Sequence, residues 1–131
     1  MTPAKWGEYK YFKREEFLCT CCGEEYMKHE LLEVLDKVRT DVGVPLKVNS
    51  GYRCPDYNAS ISSTGRTGPH TTGLAVDFGV AGGSAHQLLV AAGKLDKFTG
   101  IGIHQRGPFH GRFIHLDILT EGPRPWVWTY G

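Results

Sequence analysis

The sequence lacks an excess of charge of either sign, a long apolar run and an internal repeat. Its 131 residues include 15 lysines and arginines and 14 aspartates and glutamates, which gives a formal net charge of +1. A nearly neutral chain offers no strong electrostatic attraction to nucleic acid or to a membrane surface, so we expect neither as a partner. Because no apolar run is long enough to cross a bilayer, we also expect no membrane insertion.

The N-terminal segment, MTPAKWGEYKYFKREEF, lacks the apolar stretch of a secretory signal. We therefore expect a protein that is made in the cytoplasm and reaches any outside substrate after delivery or cell lysis. The chain length suits one compact domain, which we expect to span residues 1–131, with residues 1–16 as an irregular arm. Several aromatic side chains of this arm can pack on the domain: Trp6, Tyr9, Tyr11 and Phe12.

Cysteine is scarce, with four residues at Cys19, Cys21, Cys22 and Cys54. The spacing of Cys19 and Cys22 is compatible with a zinc site, a redox pair or no special role. Because Cys21 and Cys22 are adjacent, a tetrahedral site made of all four thiolates is awkward. We favour free, buried or half-buried thiols, with a structural zinc or a disulfide as the alternative. A zinc ribbon that binds nucleic acid is disfavoured by the nearly neutral charge.

Two segments show the spacing of amphipathic helices. Between residues 28 and 42, apolar residues recur every three or four positions, and Gly43 follows as a stop signal. The second predicted helix begins with Ser84 as N-cap, has Gln87 in position for a capping box and ends at Gly93.

Alternating apolar and polar residues predict four strands, within residues 44–48, 74–78, 101–103 and 113–119. Residues 54–69 are predicted to form a loop with one helical turn near residues 57–61. The order helix, strand, strand, helix, strand, strand predicts an α+β domain. Its sheet should be mainly antiparallel, with the helices packed on one face.

Two of these strands carry metal-binding side chain types on the face opposite to their apolar residues. Asp77 alternates with the apolar residues of its strand, and so do His115 and Asp117 in theirs. If the two strands are neighbours, these side chains converge. His70 precedes the first strand, and Gly73 allows the chain to turn so that His70 reaches the same point.

Two histidines and a carboxylate form a ligand set typical of catalytic zinc, which leaves a fourth position for water. Such a metal lowers the pKa of that water and polarises a carbonyl group. Each residue alone has an ordinary explanation: His70 as a turn residue, Asp77 as a solvated carboxylate and His115 as a hydrogen-bonded histidine. Their combination on opposed strands favours a Zn²⁺ site.

The segment HTTGLAVD, residues 70–77, resembles the HxxGxAxD signature of the Hedgehog/D-Ala-D-Ala zinc-peptidase superfamily. SGYR at residues 50–53 resembles the segment that precedes the first histidine in that superfamily, and FIHLD at residues 113–117 resembles the strand with the third ligand. The resemblance covers roughly residues 30–128. The order and spacing of these motifs resemble the branch of D-Ala-D-Ala carboxypeptidase-like and L-Ala-D-Glu endopeptidase-like proteins of bacteria and phages.

This resemblance implies a Hedgehog/DD-peptidase-like fold and a zinc-dependent peptidase that cuts peptide bonds of bacterial peptidoglycan. A phage endolysin, a phage tail component and a bacterial wall-remodelling enzyme all fit. The implied zinc ligands are His70, Asp77 and His115. Arg53 is implied to hold a carbonyl or carboxylate of the substrate and to stabilise the oxyanion. A guanidinium suits both roles, because it is positively charged and has two parallel N–H donors. A surface salt bridge is the alternative for Arg53.

The sequence departs from the superfamily where the general base is expected. Many members have Glu, Asp or His three residues before the last ligand, and this chain has Arg112 there, which cannot accept a proton. Others have a catalytic histidine two residues before it, where this chain has Phe113. The base must therefore come from another position.

Asp117 is the first candidate for the base and His110 the second, with His104 also near the last predicted strand. Asp117 could equally orient a ligand histidine. A shifted assignment, with Asp117 as ligand and His115 as base, is the less favoured alternative. The missing base also leaves room for a second function, a zinc-containing binding module that does not turn over substrate.

The end of the chain is rich in aromatic residues: Trp126, Trp128 and Tyr130. We expect them to pack over an edge of the sheet, with the wall of a substrate cleft as the alternative.

Overall fold

A computed structural model describes residues 1–130, and Gly131, the last residue of the expected domain, lies outside the described residues. Three α-helices and five β-strands occur in the described part of the chain. The helices are α1 (His29–Val42), α2 (Pro55–Ile61) and α3 (Gly82–Leu95). The strands are β1 (Lys47–Ser50), β2 (Ala75–Gly79), β3 (Gly100–His104), β4 (Phe113–Asp117) and β5 (Trp126–Thr129). Short 3₁₀ turns lie at Arg14–Phe17, Gly65–Thr67, Pro69–Thr71 and Phe109–Gly111.

The five strands form one sheet in the order β1-β2-β4-β3-β5. The pairs β1–β2, β2–β4 and β3–β4 are antiparallel, and β5 runs parallel to β3 at the sheet edge. The predicted α+β architecture with a mainly antiparallel sheet is therefore confirmed.

The hydrophobic core lies between one face of this sheet and the helices α1 and α3. Phe78 and Leu116 from the sheet, Leu35 from α1 and Leu88 from α3 are all completely buried. Removing a side chain of this size from water contributes about 1.5–3 kcal/mol. Because the apolar residues of β2 and β4 occupy this face, their polar residues must occupy the other.

The N-terminal arm packs on the core, as predicted. Phe12 is buried, with its ring centroid 5.9 Å from that of Phe78, and Phe17, which directly follows the arm, is buried as well. Trp6 packs with its ring centroid 5.5 Å from that of Phe17. The arm therefore covers part of the core.

The predicted bounds of the second helix were wrong at both ends. Ala81 is the N-cap of α3, and Ser84 lies within the first turn without capping it. The helix continues past Gly93 to Leu95, whose side chain packs against the core. This packing outweighs the cost of about 1 kcal/mol of a glycine inside a helix.

Strand β4 ends at Asp117, two residues before the predicted end, and the other corrections concern prolines. The first strand begins at Lys47, after Pro45, because proline has no N–H to donate to the ladder. The helical turn predicted near residues 57–61 is the seven-residue helix α2, which has Pro55 in its first turn. Strand β5 was not predicted, because Pro123 and Pro125 precede it; an edge strand tolerates such prolines.

None of the helices in the described residues is long and apolar enough to span a membrane.

Candidate metal centre

The register of the sheet brings the predicted ligands together. Asp77 of β2 lies directly opposite His115 of β4, and side chains of directly opposed residues share a face. Gly102 of β3 lies on the other side of His115, and Gly100 lies beside Asp117. The predicted polar face is therefore confirmed, because Asp77, His115 and Asp117 line the side of the sheet that faces away from the helices.

His70 reaches this face from the turn Pro69–Thr71, just before β2. Gly73 follows with φ +77°, and its carbonyl accepts a hydrogen bond from the backbone of Lys28 at 3.1 Å. A Cβ at Gly73 would overlap the carbonyl of Tyr26, so only glycine fits here. The turn leaves the His70 ring buried beside the sheet, with 5% of the residue exposed.

The inner nitrogens of both histidines point at one carboxylate oxygen. Nε2 of His70 lies 3.2 Å from Oδ1 of Asp77, and Nδ1 of His115 lies 3.0 Å from the same atom. The three potential ligand atoms all lie within 4.8 Å of one another. Ligands about 2.0–2.1 Å from a tetrahedral zinc are separated by about 3.4 Å, so only small shifts would admit the ion.

The outer nitrogen of each histidine is also held. Nδ1 of His70 lies 2.9 Å from the carbonyl oxygen of Gly51, and Nε2 of His115 lies 2.7 Å from Oδ2 of Asp117. Each outer nitrogen therefore carries a proton and donates it to its oxygen, so that a metal replacing the inner proton would meet the lone pair of the inner nitrogen. This arrangement of ligand histidines against a carbonyl or carboxylate is typical of metal sites.

The charges of the site favour an ionised Asp77. Burial raises the pKa of this carboxyl, but His70 and His115 outweigh burial and bring its pKa well below the ordinary value. Burial lowers the pKa of His115, but hydrogen bonds to Asp117 and Asp77 raise it above its ordinary value. Without a metal, the site is thus a compact network of opposite charges.

Arg53 lies beside this network. Its guanidinium donates from Nη2 to Oδ2 of Asp77 at 3.3 Å and from Nη1 to Oδ1 of Asn58 at 3.1 Å. Nε donates to the hydroxyl of Ser50 at 2.9 Å. The side chain keeps 16% of its surface exposed, so a ligand in the site can reach it. Arg53 therefore does form a salt bridge, but its partner is Asp77 and the pair is largely buried rather than at the surface.

Asp117 is completely buried, and both of its oxygens have partners. Oδ2 accepts from His115 and from Nη2 of Arg124 at 2.8 Å, while Oδ1 accepts from Nε of Arg124 at 3.0 Å and from the backbone of Leu119 at 3.3 Å. Burial raises the pKa of Asp117, but the hydrogen bonds from His115 and Arg124 lower it further than burial raises it.

The other candidates lie apart from the ligand group. His110 is exposed on the turn Phe109–Gly111 and lines a cleft of about 230 Å³ that also includes Gly79 at the end of β2. His104 stacks on Phe113, with ring centroids 5.0 Å apart. Arg112 donates to the carbonyl of Gly107 from two nitrogens, at 3.2 and 3.1 Å.

Sequence reasoning did not predict strand β5, and it gave a place for its aromatic residues in the wall of a cleft only as the alternative. The Trp128 ring lies 5.1 Å from the His115 ring between centroids, and the Arg124 guanidinium lies 5.0 Å from the Trp128 ring centroid. A Cβ at Gly102 would come within 2.6 Å of Nε1 of Trp128 and 2.9 Å of the Tyr130 hydroxyl. The alternation of Trp126, Trp128 and Tyr130 was the available signal.

Asn58 was also missed. It is completely buried, accepts from Arg53, and donates from Nδ2 to the hydroxyl of Thr64 at 2.9 Å and the carbonyl of Gly65 at 2.5 Å. Its place in a segment predicted as a loop gave no signal of this role.

The comparisons with known proteins agree with this geometry. The family model described as Peptidase M15 matches residues 10–117, which include all three potential ligands and Arg53. No curated protein matches the chain. The matched range covers most of the chain, and the His70, Asp77 and His115 side chains form a group able to hold a metal ion. The chain therefore belongs to the peptidase M15 family of metallopeptidases, within the Hedgehog/D-Ala-D-Ala zinc-peptidase superfamily.

Proposed function

We propose that this protein is a zinc-dependent peptidase that hydrolyses peptide bonds in bacterial peptidoglycan, as a carboxypeptidase or an endopeptidase. The observation that carries the proposal is the convergence of His70 Nε2 and His115 Nδ1 on one oxygen of Asp77, with both outer nitrogens anchored. The substrate class is supported by the family, whose resemblance implies stem or crosslink peptides that contain D-amino acids.

His70, Asp77 and His115 would hold the zinc ion. When bound, zinc polarises a carbonyl group and lowers the pKa of a water molecule. The residues fit this metal because two neutral imidazoles and one carboxylate are its common catalytic ligands. The low pKa of Asp77 keeps the carboxylate ionised, as a ligand must be.

Arg53 would bind the substrate. Its guanidinium faces Oδ2 of Asp77, so it lies on the outer side of the carboxylate whose Oδ1 faces the histidines. From there it can donate to the scissile carbonyl or to a nearby carboxylate and stabilise the negative charge that develops. Asn58 and Ser50 fix the guanidinium by accepting from its other nitrogens.

Asp117 would orient His115 rather than take a proton from water. His115 and Arg124 both hold its carboxylate, and the side chain is completely buried. By accepting from Nε2 of His115 it directs Nδ1 towards the metal position. The sequence left two roles open for Asp117, a general base and a carboxylate that orients a ligand histidine. This geometry supports the second role.

His110 is then the proposed proton carrier. It is exposed, and it lines a cleft that also includes Gly79, two residues beyond Asp77. The phenol of Tyr130 would add a hydrogen-bond donor. Burial and the negative charges of Asp77 and Asp117 raise the pKa of Tyr130, so the phenol stays protonated.

Cleavage of defined peptides tests this proposal. Purified peptidoglycan and synthetic stem and crosslinked peptides are incubated with the protein, and the products are identified by mass spectrometry. Release of terminal D-Ala would establish a carboxypeptidase, and cleavage of crosslinks or of L-Ala–D-Glu bonds an endopeptidase. A folded, zinc-loaded protein that cuts none of these bonds would contradict the proposal.

A non-catalytic zinc-containing binding module is the second candidate function. It is favoured by Arg112, which occupies the position where many members of the superfamily have the general base. The guanidinium of Arg112 donates hydrogen bonds to the carbonyl of Gly107. The two functions are separated by the same experiment, because a module would bind the peptides and leave them intact.

A further inference from the structure

Three cysteine sulfurs meet away from the His70 site. Cys19 is buried, Cys54 is half-buried and Cys22 is exposed, and their sulfur atoms all lie within 4.8 Å of one another. All four cysteines of the chain are free thiols in this structure. The sulfur of Cys21, on the same loop, does not belong to this group of three.

The loop from Cys19 to Gly23 is folded tightly around the first of these sulfurs. The backbone of Gly23 donates to the carbonyl of Cys19 at 2.8 Å, and the backbone of Cys19 donates to the carbonyl of Glu24 at 2.8 Å. Gly23 has φ +74°, a conformation that favours glycine. This turn holds the side chains of Cys19 and Cys22, three residues apart, on the same side.

The Cys19 sulfur is surrounded by N–H groups. The backbone N–H of Cys54 donates to it at 3.3 Å. Burial raises the pKa of Cys19, but the backbone N–H groups of Cys54, Cys22 and Cys21 outweigh burial and lower the pKa to about 7. The environment of Cys19 therefore favours the thiolate, which is the form that binds metals, whereas burial and the neighbouring Cys19 and Cys54 sulfurs raise the pKa of Cys22.

A disulfide does not account for three sulfurs at one point, because any one pair leaves the third thiol unpaired. A soft divalent cation can contact all three at once, and zinc prefers thiolate ligands. Among the described residues, no further His, Cys, Asp or Glu belongs to the group, so the fourth position of a tetrahedral ion would go to water.

We propose that Cys19, Cys22 and Cys54 bind a zinc ion at a second site, separate from the His70–Asp77–His115 site. The proposal does not depend on the peptidase activity. This metal would tie the N-terminal loop to the residue that directly follows Arg53.

The position of Cys54 gives the site a structural role. Arg53 and Gly51, which contact Asp77 and His70, lie within three residues of it. The same segment is already joined to the arm, because the backbone of Tyr52 donates to the carbonyl of Phe17 at 3.0 Å. A zinc ion at the cysteines would therefore fix the segment that carries Arg53.

Zinc content in a two-by-two set of variants tests the proposal. The wild type, His115→Ala, Cys22→Ser and the double variant are purified with reductant and zinc, dialysed and analysed by mass spectrometry of the metal. We expect about two, one, one and no zinc ions per chain. If the wild type binds one zinc ion and only His115→Ala removes it, the cysteine site is overturned. If the wild type binds one zinc ion and only Cys22→Ser removes it, the result supports the cysteine site and counts against the proposed function.

Cobalt provides a spectroscopic readout that activity cannot supply. In the His115→Ala background, Co²⁺ bound by thiolates should give an intense sulfur-to-metal charge-transfer band, which Cys22→Ser should abolish. Cys21→Ser is the matched control, because it removes a thiol from the same loop, and it should keep the band. Loss of the band in Cys21→Ser as well as in Cys22→Ser would contradict the assigned ligands. Far-UV circular dichroism of each variant, with Cys22→Ala as a further variant, distinguishes loss of the metal from loss of the fold.

Discussion

Asp117 illustrates how the partners of a single carboxylate decide its role. Its oxygens accept from His115, Arg124 and the backbone of Leu119. A general base needs a free oxygen directed at water, whereas an orienting residue needs a fixed bond to the ligand. The two roles predict different consequences of the same substitution.

We expect Asp117→Asn to weaken zinc binding at the His115 site by about 10–100-fold, because the amide holds the His115 tautomer less well. The affinity is measured by competition with a chelator in the Cys22→Ser background, and hydrolysis is measured at saturating zinc. Unchanged zinc affinity together with abolished hydrolysis would instead identify Asp117 as the base.

Arg53 should affect hydrolysis and leave zinc content intact. Arg53→Ala removes the guanidinium beside Asp77, and loss of one such stabilising group costs about 10²–10³-fold in turnover. The matched control is Arg66→Ala, which removes an exposed arginine that pairs with Asp56 and should leave turnover unchanged. Equal effects of the two substitutions would show that Arg53 does not act on the substrate.

The charge network predicts how the metal-free protein responds to pH. The folded state raises the pKa of His115 above about 6.5, so its contribution to stability is present below that pH and is lost as pH rises through the folded pKa. The pKa values of Asp77 and Asp117 are lowered, so their contributions are present above about pH 4 and are lost as pH falls.

Stability of the chelator-treated protein in urea should therefore decline above about pH 6.5, and His115→Gln should lack that component. The comparison of the two pH profiles isolates His115 from the cysteines, which titrate in both proteins. Identical profiles would contradict the assigned network.

At the scale of elements, two glycines of β3 make space for side chains of its neighbours. A Cβ at Gly100 would overlap the carboxylate of Asp117, and one at Gly102 would press on Trp128. Both glycines lie on the polar face, directly beside Asp117 and His115. A strand this poor in side chains is weak by itself, but it leaves room for the site.

Gly100→Ala should displace Asp117 and lower zinc occupancy of the His115 site, measured on the purified, folded variant. Gly93→Ala in α3 is the matched control, because no atom lies within 4 Å of its added Cβ. It should stabilise the protein by about 0.5–1 kcal/mol without changing zinc content. Full zinc occupancy in Gly100→Ala would show that Asp117 can move without loss of the site.

The elements that sequence reasoning misjudged depend on contacts distant in the chain. Alternation located β2, β3 and β4 because each has one face in the core. Strand β5 pairs only at the edge and follows two prolines, so its local signal was ambiguous. The end of α3 depends on the packing of Leu95, which outweighs the stop signal of Gly93.

For the whole molecule, the convergence of His70, Asp77 and His115 followed from the sequence because it needs only strand alternation, one neighbouring pair and a turn at Gly73. The pairing of Asp117 with Arg124 could not follow in the same way, since it depends on the loop before β5. The meeting of Cys54 with Cys19 and Cys22 likewise depends on the arm folding over the segment before α2.

The most direct test of the account is cleavage of peptidoglycan peptides by wild type and His115→Ala proteins, each assayed as purified, after zinc removal and after zinc is restored. We predict that the wild type stops cleaving when its zinc is removed and cleaves again when zinc is restored. Folded His115→Ala should stay inactive in all three states. Cleavage by zinc-free wild type, or by His115→Ala at the wild type rate, would contradict a catalytic zinc at His70, Asp77 and His115.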